Sequence, residues 1–421
     1  MPYIPPKDKR QWAKHMEAQG LTGQTMHGQA FNSASKFTWK SFLTLRILRQ
    51  PVKPRYFNFD TVGLDQGLIA KADERLRSYG SWKSYRESFA RQKPKEGNFF
   101  LAKLFQDQTM TIKSDGVSSS ISRRETRSMT QGEEDRQEPP QTPTKSGGMI
   151  TGEAAFATIE GAVRSVEGGE AFFTPSIPGS NVSSEYTPDD EQYTMTIDEQ
   201  IVNTALLNFL KAITESFSDI THHWAIHRNA LHATVNEREL YEARTDGYLS
   251  GNSGSSIRAL VEVKAAVRSK KVDEIFMKES AQMVAWILNQ PEEYLKMPGR
   301  YVRCSSYLQY TELTDERFFQ VLQDRHEIYL NFAQFGDKYV QYLRDEGVQL
   351  RDDDPESFMT IFEVGPYKTR DKDHMMELGR ILLALTLRAD EDEANRRQRE
   401  PQRGLQRNLI EEFQRVDLNA H

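Results

Sequence analysis

A glutamate and a lysine stand two residues apart in an otherwise apolar segment, RALVEVKAAV at residues 258–267. In a β-strand, Glu262 and Lys264 project from the same face. A buried charge must be paired with an opposite charge or bound to a cation. A carboxylate can help to bind a divalent cation, and an ammonium group on the same face can hold an attacking water or stabilise the charge that develops on a phosphate. The alternative is an outer strand on which both side chains face water.

A second carboxylate lies in the preceding predicted strand, sixteen residues before Glu262. Asp246 stands in the run Arg-Thr-Asp-Gly, just before the glycine- and serine-rich turn GNSGSS. If the two strands pair around that turn, the two carboxylates lie side by side and repel unless a cation lies between them. Ligation by oxygen alone favours Mg²⁺ or Mn²⁺ over zinc. The alternative for Asp246 is an ordinary turn aspartate that precedes a glycine.

Two predicted helices carry further candidates. In the first, Glu199 is in line with the apolar stripe, because it precedes Phe217 by five full turns. Asp198 is the better candidate for the N-terminal cap, which leaves Glu199 for chemistry. In the second, Gln282 and Trp286 are one turn apart and are expected to point together toward the preceding strand.

The elements that must position these residues follow from apolar spacing. A helix is predicted from residue 197, with buried positions at Val202, Leu206, Phe209, Leu210, Ile213 and Phe217. Strands are predicted over 224–235, 240–249 and 258–267, a helix over 273–288, strands over 318–330, 338–343 and 358–364, and a helix over 374–389. This order predicts an α/β fold with one core.

Charge and composition divide the chain. Residues 1–113 carry 20 Lys and Arg against 9 Asp and Glu, whereas the rest carries 35 against 52. We expect a basic, at most partly ordered region over 1–113, with a helix over 71–92 broken at Gly80. Residues 114–195 are rich in Ser, Thr, Gln, Pro and Gly and are predicted to be a disordered linker with a short helix over 154–163. A folded domain is expected over 196–390 and a charged tail over 391–421.

Several classes of protein are excluded by the same composition. No stretch approaches the ~18 apolar residues that a membrane span requires, and no secretory signal is recognisable. The single cysteine, Cys304, forbids an internal disulfide and a cysteine-rich zinc site. An intracellular protein of the nucleus or cytoplasm is therefore expected.

Five motifs in order carry a family resemblance: DEQIVNTALLNFL, RTDGYL, RALVEVKAAVRSK, ESAQMVAWI and QDRHEIYL. This succession resembles the PD-(D/E)XK nuclease-like domain of many fungal proteins, a branch of the restriction-endonuclease-like superfamily. The resemblance implies an αβββαβ core, with a mixed central sheet flanked by helices, that binds Mg²⁺ and cuts DNA to leave a 5′-phosphate. The sequence departs from the family at residues 265 and 266, where alanines replace a proline and a bulky residue.

The resemblance also implies a role for each matched residue. It assigns metal binding to Asp246 and Glu262, with the Val263 carbonyl as a third ligand. It gives Lys264 the task of positioning or activating water, adds Glu199 as the acid of the first helix, and matches Gln282 to a helix motif of exonuclease-like branches.

Two rival interpretations remain open at this stage. The acidic balance of residues 114–421 favours an inactive nuclease fold that serves as a nucleic-acid or protein interaction module, because binding to a phosphate backbone normally needs a basic surface. The histidines 222, 223, 227 and 232 allow a zinc site, but their segment reads as a strand, on which this spacing does not converge on one ion.

In the charged tail, Arg396, Arg397 and Arg399 can be an import signal or a phosphate contact, and a solvated helix is the alternative.

Overall fold

The fold is described from a computed structural model, which covers residues 3–90, 96–110, 198–251, 257–290, 318–348 and 350–418, with the backbone alone from 399 onward. The predicted linker at 114–195, its short helix and Cys304 all lie outside the described residues. The described parts of Met1–Ser114 and Glu191–His421 pack as one compact unit.

The N-terminal part of the chain contributes to this unit. Its elements are α1 (Lys9–Ala18), α2 (Trp39–Thr44), β1 (Ile47–Val52), α3 (Gln66–Ser78), α4 (Gly80–Ser88) and α5 (Phe100–Gln108). The helix predicted over 71–92 is thus two helices, and the break at Gly80 is as expected. The structure differs from the sequence expectation of partial order, because β1 is hydrogen-bonded into the central sheet.

The remaining elements follow in chain order. They are α6 (Glu199–Thr214), β2 (His222–Ala225), β3 (Ala230–Val235), β4 (Arg238–Arg244), β5 (Gly247–Gly251), β6 (Ala259–Lys264), α7 (Val272–Asn289), β7 (Phe318–Asp324), β8 (Glu327–Gln334), α8 (Asp337–Arg344), β9 (Met359–Lys368) and α9 (Lys372–Leu418). The predicted helices over α6, α7 and the first part of α9 are confirmed.

Four predicted strands differ from the structure. The strands predicted over 224–235 and 240–249 are each divided in two, because their halves belong to different sheets. The strand predicted over 318–330 is the first arm and part of the second arm of the β7–β8 hairpin. The strand predicted over 338–343 is wrong, since this segment forms α8. Its buried residues, Tyr339, Val340, Tyr342 and Leu343, have the spacing of a helix with one apolar face.

The central sheet is mixed and has seven strands in the order β1-β9-β8-β7-β6-β5-β2. Two neighbouring pairs are parallel, β6 with β7 and β1 with β9, and the other neighbours are antiparallel. Helix α7 connects β6 to β7, as parallel pairing requires a crossover. Strands β3 and β4 form a separate hairpin.

Helices cover both faces of this sheet. One face packs its apolar residues against α7, the β3–β4 hairpin and the N-terminal segment that includes α1 and α2. The other face packs against α3, α6 and α9. The observed class is therefore an α/β fold with a mixed sheet between helical layers. None of the described helices is long and apolar enough to cross a membrane.

Candidate active site

The end of β6 is joined to the start of β5 through Asp246. The backbone N–H of Asp246 donates to the carbonyl of Val261 at 2.9 Å, as expected where β5 begins to pair with β6. The Oδ2 atom of Asp246 in turn accepts a hydrogen bond from the N–H of Val263 at 3.2 Å. Val263 lies between Glu262 and Lys264, so this bond holds the carboxylate of Asp246 beside the Glu-x-Lys tripeptide.

Glu262 is the centre of a buried polar cluster. It is 3% exposed although it lies on the central sheet. Its Oε1 atom accepts hydrogen bonds from the ammonium groups of Lys264 and Lys278, and its Oε2 atom accepts one from the Gln282 amide at 2.6 Å. The alternative of an outer strand with Glu262 in water is therefore wrong. Lys264 is largely buried too, and it also donates to the Val263 carbonyl at 2.6 Å.

The protonation of this cluster follows from burial and charge. Burial raises the pKa of Asp246 to about 6, and the nearby charge of Glu262 acts in the same direction. Burial would also raise the pKa of Glu262, but the neighbouring Lys264 and Lys278 outweigh it and hold that pKa below its usual range. Burial opposes the charge on Lys264, yet Glu262 and Glu199 raise its pKa. Lys264 is therefore held as an ammonium ion beside Glu262 in the metal-free cluster.

Glu199 lies at the edge of the same cluster. It is the first residue of α6, and Asp198 caps the helix by accepting the N–H of Gln200 at 2.9 Å, as the sequence predicted. The Glu199 side chain is 44% exposed, and its Oε1 atom is 3.8 Å from the Lys264 ammonium. Glu199 therefore contributes charge near Lys264 and remains open to solvent.

The two residues predicted to act together on α7 have different environments. Gln282 is fully buried and donates to Glu262 and also to the Arg244 carbonyl, at 2.8 Å. Trp286 instead packs in the core against Phe318, with ring centroids 4.5 Å apart. Among the described residues, the Gln282 Oε1 atom has no hydrogen-bond partner although it is buried. Gln282 thus belongs to the cluster, whereas Trp286 positions α7 by packing.

Two residues of the site were missed by the sequence analysis. Lys278 contacts Glu262 from α7, and the available signal was its position one turn before Gln282 on the same helix face. Arg228 lies in the loop between β2 and β3, with its Nε atom 3.5 Å from Asp246 Oδ1. No sequence spacing links Arg228 to Asp246, because the contact depends on how two loops meet.

A second buried polar cluster lies beside the site and fixes α7. Glu279, the residue after Lys278, accepts hydrogen bonds from Arg49 of β1 at 2.8 Å and from Arg268. Arg268 also pairs with Asp324 at 2.7 Å and with Glu363 at 2.5 Å. The cluster contains three carboxylates and two guanidinium groups, all largely buried. It ties the N-terminal strand, β7 and β9 to the helix that carries Lys278 and Gln282.

The proposed zinc ligands do not come together. His222 is buried and bonds to Asp390 at 2.7 Å, whereas His232 is exposed and lies 3.2 Å from Glu239. Within the described ranges, no group of three or more His, Cys, Asp or Glu residues is arranged to hold a metal ion. In the tail, Arg396 and Arg397 pair with Glu393 on α9, which agrees with a charged helix.

The donor set of the cluster suits a hard divalent cation. Two buried carboxylates, Asp246 and Glu262, and the Val263 carbonyl are oxygen donors, which Mg²⁺ and Mn²⁺ prefer. Mg²⁺ is commonly held by only one or two carboxylates, with water and substrate phosphate as the other ligands. The residues present therefore fit the cation that the family resemblance implies.

Comparison with known proteins adds no relative to this picture. The chain matches no family model, and it has no significant match among curated proteins or solved structures. The chemistry of the site must therefore be inferred from its own residues.

Proposed function

We propose that this protein is a phosphodiester hydrolase that acts on DNA with the help of Mg²⁺ or Mn²⁺. One observation carries the proposal. The N–H of Val263 bonds to Asp246 Oδ2 at 3.2 Å, which brings a carboxylate of one strand to the Glu-x-Lys pair of the next. Paired carboxylates beside a lysine are the arrangement expected for hydrolysis of a phosphate ester.

The order of elements supports a restriction-endonuclease-like core. Helix α6 is followed by the antiparallel strands β2, β5 and β6, then by α7, and then by β7 parallel to β6. This order agrees with the αβββαβ succession that the family resemblance implies, if the β3–β4 hairpin is taken as an insertion between β2 and β5. The candidate residues lie where β5 and β6 meet α6 and α7.

Each residue has a role that follows from its environment. Asp246, Glu262 and the Val263 carbonyl would hold the cation, which would neutralise charge on the phosphate in the transition state. Lys264 stays protonated, so it donates hydrogen bonds to the attacking water or to a phosphate oxygen and stabilises developing negative charge. Glu199, half exposed and close to Lys264, orients the lysine. Gln282 holds Glu262 in place.

The charge of the folded unit is compatible with a nucleic-acid substrate. The two ranges that form the compact unit, 1–114 and 191–421, carry 49 basic and 48 acidic residues, and most of the negative excess of the chain lies in 115–190. The acidic balance of residues 114–421, taken alone, disfavours binding to a phosphate backbone. Because the basic N-terminal part packs with the acidic residues in one unit, the net charge of that unit is close to zero and does not oppose DNA binding.

The proposal is tested by incubating the full chain with DNA and Mg²⁺ and comparing wild type with Lys264→Ala, Asp246→Asn and Glu262→Gln. Lys338→Ala is the matched control, because it removes an exposed lysine that pairs with Asp354, away from the site. The expected result is cleavage by wild type and the control, and none by the three site variants. Equal cleavage by all preparations indicates a contaminating nuclease and rejects the proposal.

One observation favours a second function, a nuclease fold that binds DNA or protein without cutting. Two lysines already contact Glu262, so the cluster of Asp246, Glu262, Lys264 and Lys278 is neutral without any cation. Calorimetric titration with Mg²⁺, in the presence of a DNA fragment, separates the two functions. Heat that Asp246→Asn abolishes supports the hydrolase, and DNA binding without metal uptake or cleavage supports the interaction module.

A further inference from the structure

The loop between β2 and β3 exposes an unusual set of side chains next to the candidate site. Ile226, His227 and Arg228 are all exposed, and Ile226 is 61% exposed, among the highest values for a large apolar residue in the described part of the chain. The next residue, Asn229, is half buried. An apolar side chain and a guanidinium group therefore face solvent at the entrance to a buried carboxylate cluster.

The position of this loop is fixed by its bonds to the segment that carries Asp246. The N–H of Thr245 donates to the Asn229 carbonyl at 3.1 Å, and the N–H of Asn229 lies 3.3 Å from the Thr245 hydroxyl, which accepts its hydrogen bond. Thr245 is fully buried. At the other end of the loop, a Cβ added to Gly247 would lie 2.7 Å from the Ala225 carbonyl oxygen, so only glycine permits the approach. The loop is held against Asp246 from both sides.

Arg228 is available for a ligand. Its side chain is 67% exposed, and it reaches Asp246 Oδ1 at 3.5 Å from the solvent side. The negative charge of the buried carboxylates is already countered from inside by Lys264 and Lys278. Although Asp246 is buried, the Arg228 guanidinium group lies mostly in solvent, and such a group can bind a phosphate with two parallel hydrogen bonds.

We infer that Arg228 binds a backbone phosphate of the DNA strand that enters the site, and that Ile226 packs against the adjacent nucleotide. The inference rests on the proposed function and extends it to the path of the substrate. The phosphate held by Arg228 is a neighbour of the one at Asp246 and Glu262. Arg228 is thus a substrate-binding residue that leaves its contact with Asp246 when DNA arrives.

The test measures binding of a labelled DNA duplex to the full chain by fluorescence anisotropy over a range of salt concentrations. Ca²⁺ replaces Mg²⁺ to limit cutting, and electrophoresis of the same samples checks that the DNA is intact. Arg228→Ala is expected to weaken binding roughly tenfold, the value of one hydrogen-bonded charge. It should also reduce the slope of log K against log salt by about one, the loss of one phosphate contact. Ile226→Ser should weaken binding without changing the slope.

The matched control is Arg351→Ala, which removes another exposed arginine that pairs with a neighbouring aspartate, Asp353. Arg351→Ala is expected to leave the slope of log K against log salt unchanged. Arg228→Lys keeps the positive charge and should therefore keep most of the wild-type slope. A wild-type protein that binds DNA with the same slope as Arg228→Ala overturns the inference and leaves the proposed function standing. Failure of wild type to bind or cut DNA overturns both.

Discussion

Replacement of Asp246 by asparagine is expected to stabilise the metal-free protein at neutral pH. Burial and the neighbouring Glu262 raise the pKa of Asp246 from 3.8 to about 6. The folded state therefore binds a proton more tightly than the unfolded state. The stability that this proton contributes is fully present below about pH 4 and is lost as the pH rises through about 6.

The size of the expected stability change follows from the shift in the pKa of Asp246. A shift of about two pKa units corresponds to roughly 3 kcal/mol of unfavourable free energy for the ionised, folded state above pH 6. Asparagine removes this charge but keeps an oxygen that can accept the Val263 N–H. Its amide nitrogen is buried in place of an oxygen, which costs about 1–2 kcal/mol if it finds no acceptor. A net gain of about 1–2 kcal/mol remains, or a melting temperature higher by about 2–6 °C.

Thermal melts in EDTA at pH 7.5 and at pH 4 test this expectation. Asp246→Asn should melt above wild type at pH 7.5, and this advantage should be lost at pH 4, where Asp246 is protonated and only the cost of the buried amide remains, so that the variant melts no higher than wild type. Asp219→Asn is the control, because Arg75 lowers the pKa of this exposed aspartate and its replacement should not stabilise the protein. Destabilisation by Asp246→Asn at pH 7.5 would refute the reasoning and make Asp246 a structural residue.

Three further predictions concern the metal, the lysine and the adjacent cluster. Mg²⁺ at ten times its dissociation constant should stabilise wild type by about 1.4 kcal/mol in a thermal-shift assay, and the shift should be absent in Asp246→Asn. Lys264→Ala should keep the Mg²⁺-dependent shift while losing DNA cleavage; a variant that unfolds instead identifies Lys264 as a structural ion-pair partner of Glu262. Arg49→Ala should lower the free energy of unfolding by about 3–5 kcal/mol in urea titrations, because it leaves the buried Glu279 with one cation fewer; a loss below 1 kcal/mol contradicts a structural role for the cluster.

The local chemistry of the site could be predicted from the sequence because short spacings define it. A Glu-x-Lys tripeptide in a strand places both side chains on one face whatever surrounds it. The cap at Asp198 and the helical position of Gln282 likewise depend on neighbouring residues alone. Helices α6 and α7 were identified for the same reason, since their apolar positions recur with the helical period.

Contacts between distant segments were decided only by the tertiary structure. Lys278 and Arg228 reach the carboxylates from a crossover helix and from a loop, and no sequence period connects them to Asp246 or Glu262. The basic N-terminal part was expected to be partly ordered at most, because its apolar patches are short and follow no lasting period. They become buried only when β1 pairs with β9, more than 300 residues later in the chain, and Arg49 meets Glu279.

The sequence by itself therefore determined which residue types can perform the chemistry and on which local elements they lie. The tertiary structure decided which charges are buried, and with them the protonation of the site. Burial is a property of the whole packed unit, and within it Asp246 is 6% exposed. Its pKa of about 6 could not follow from spacing, because desolvation depends on every atom that excludes water from the carboxylate.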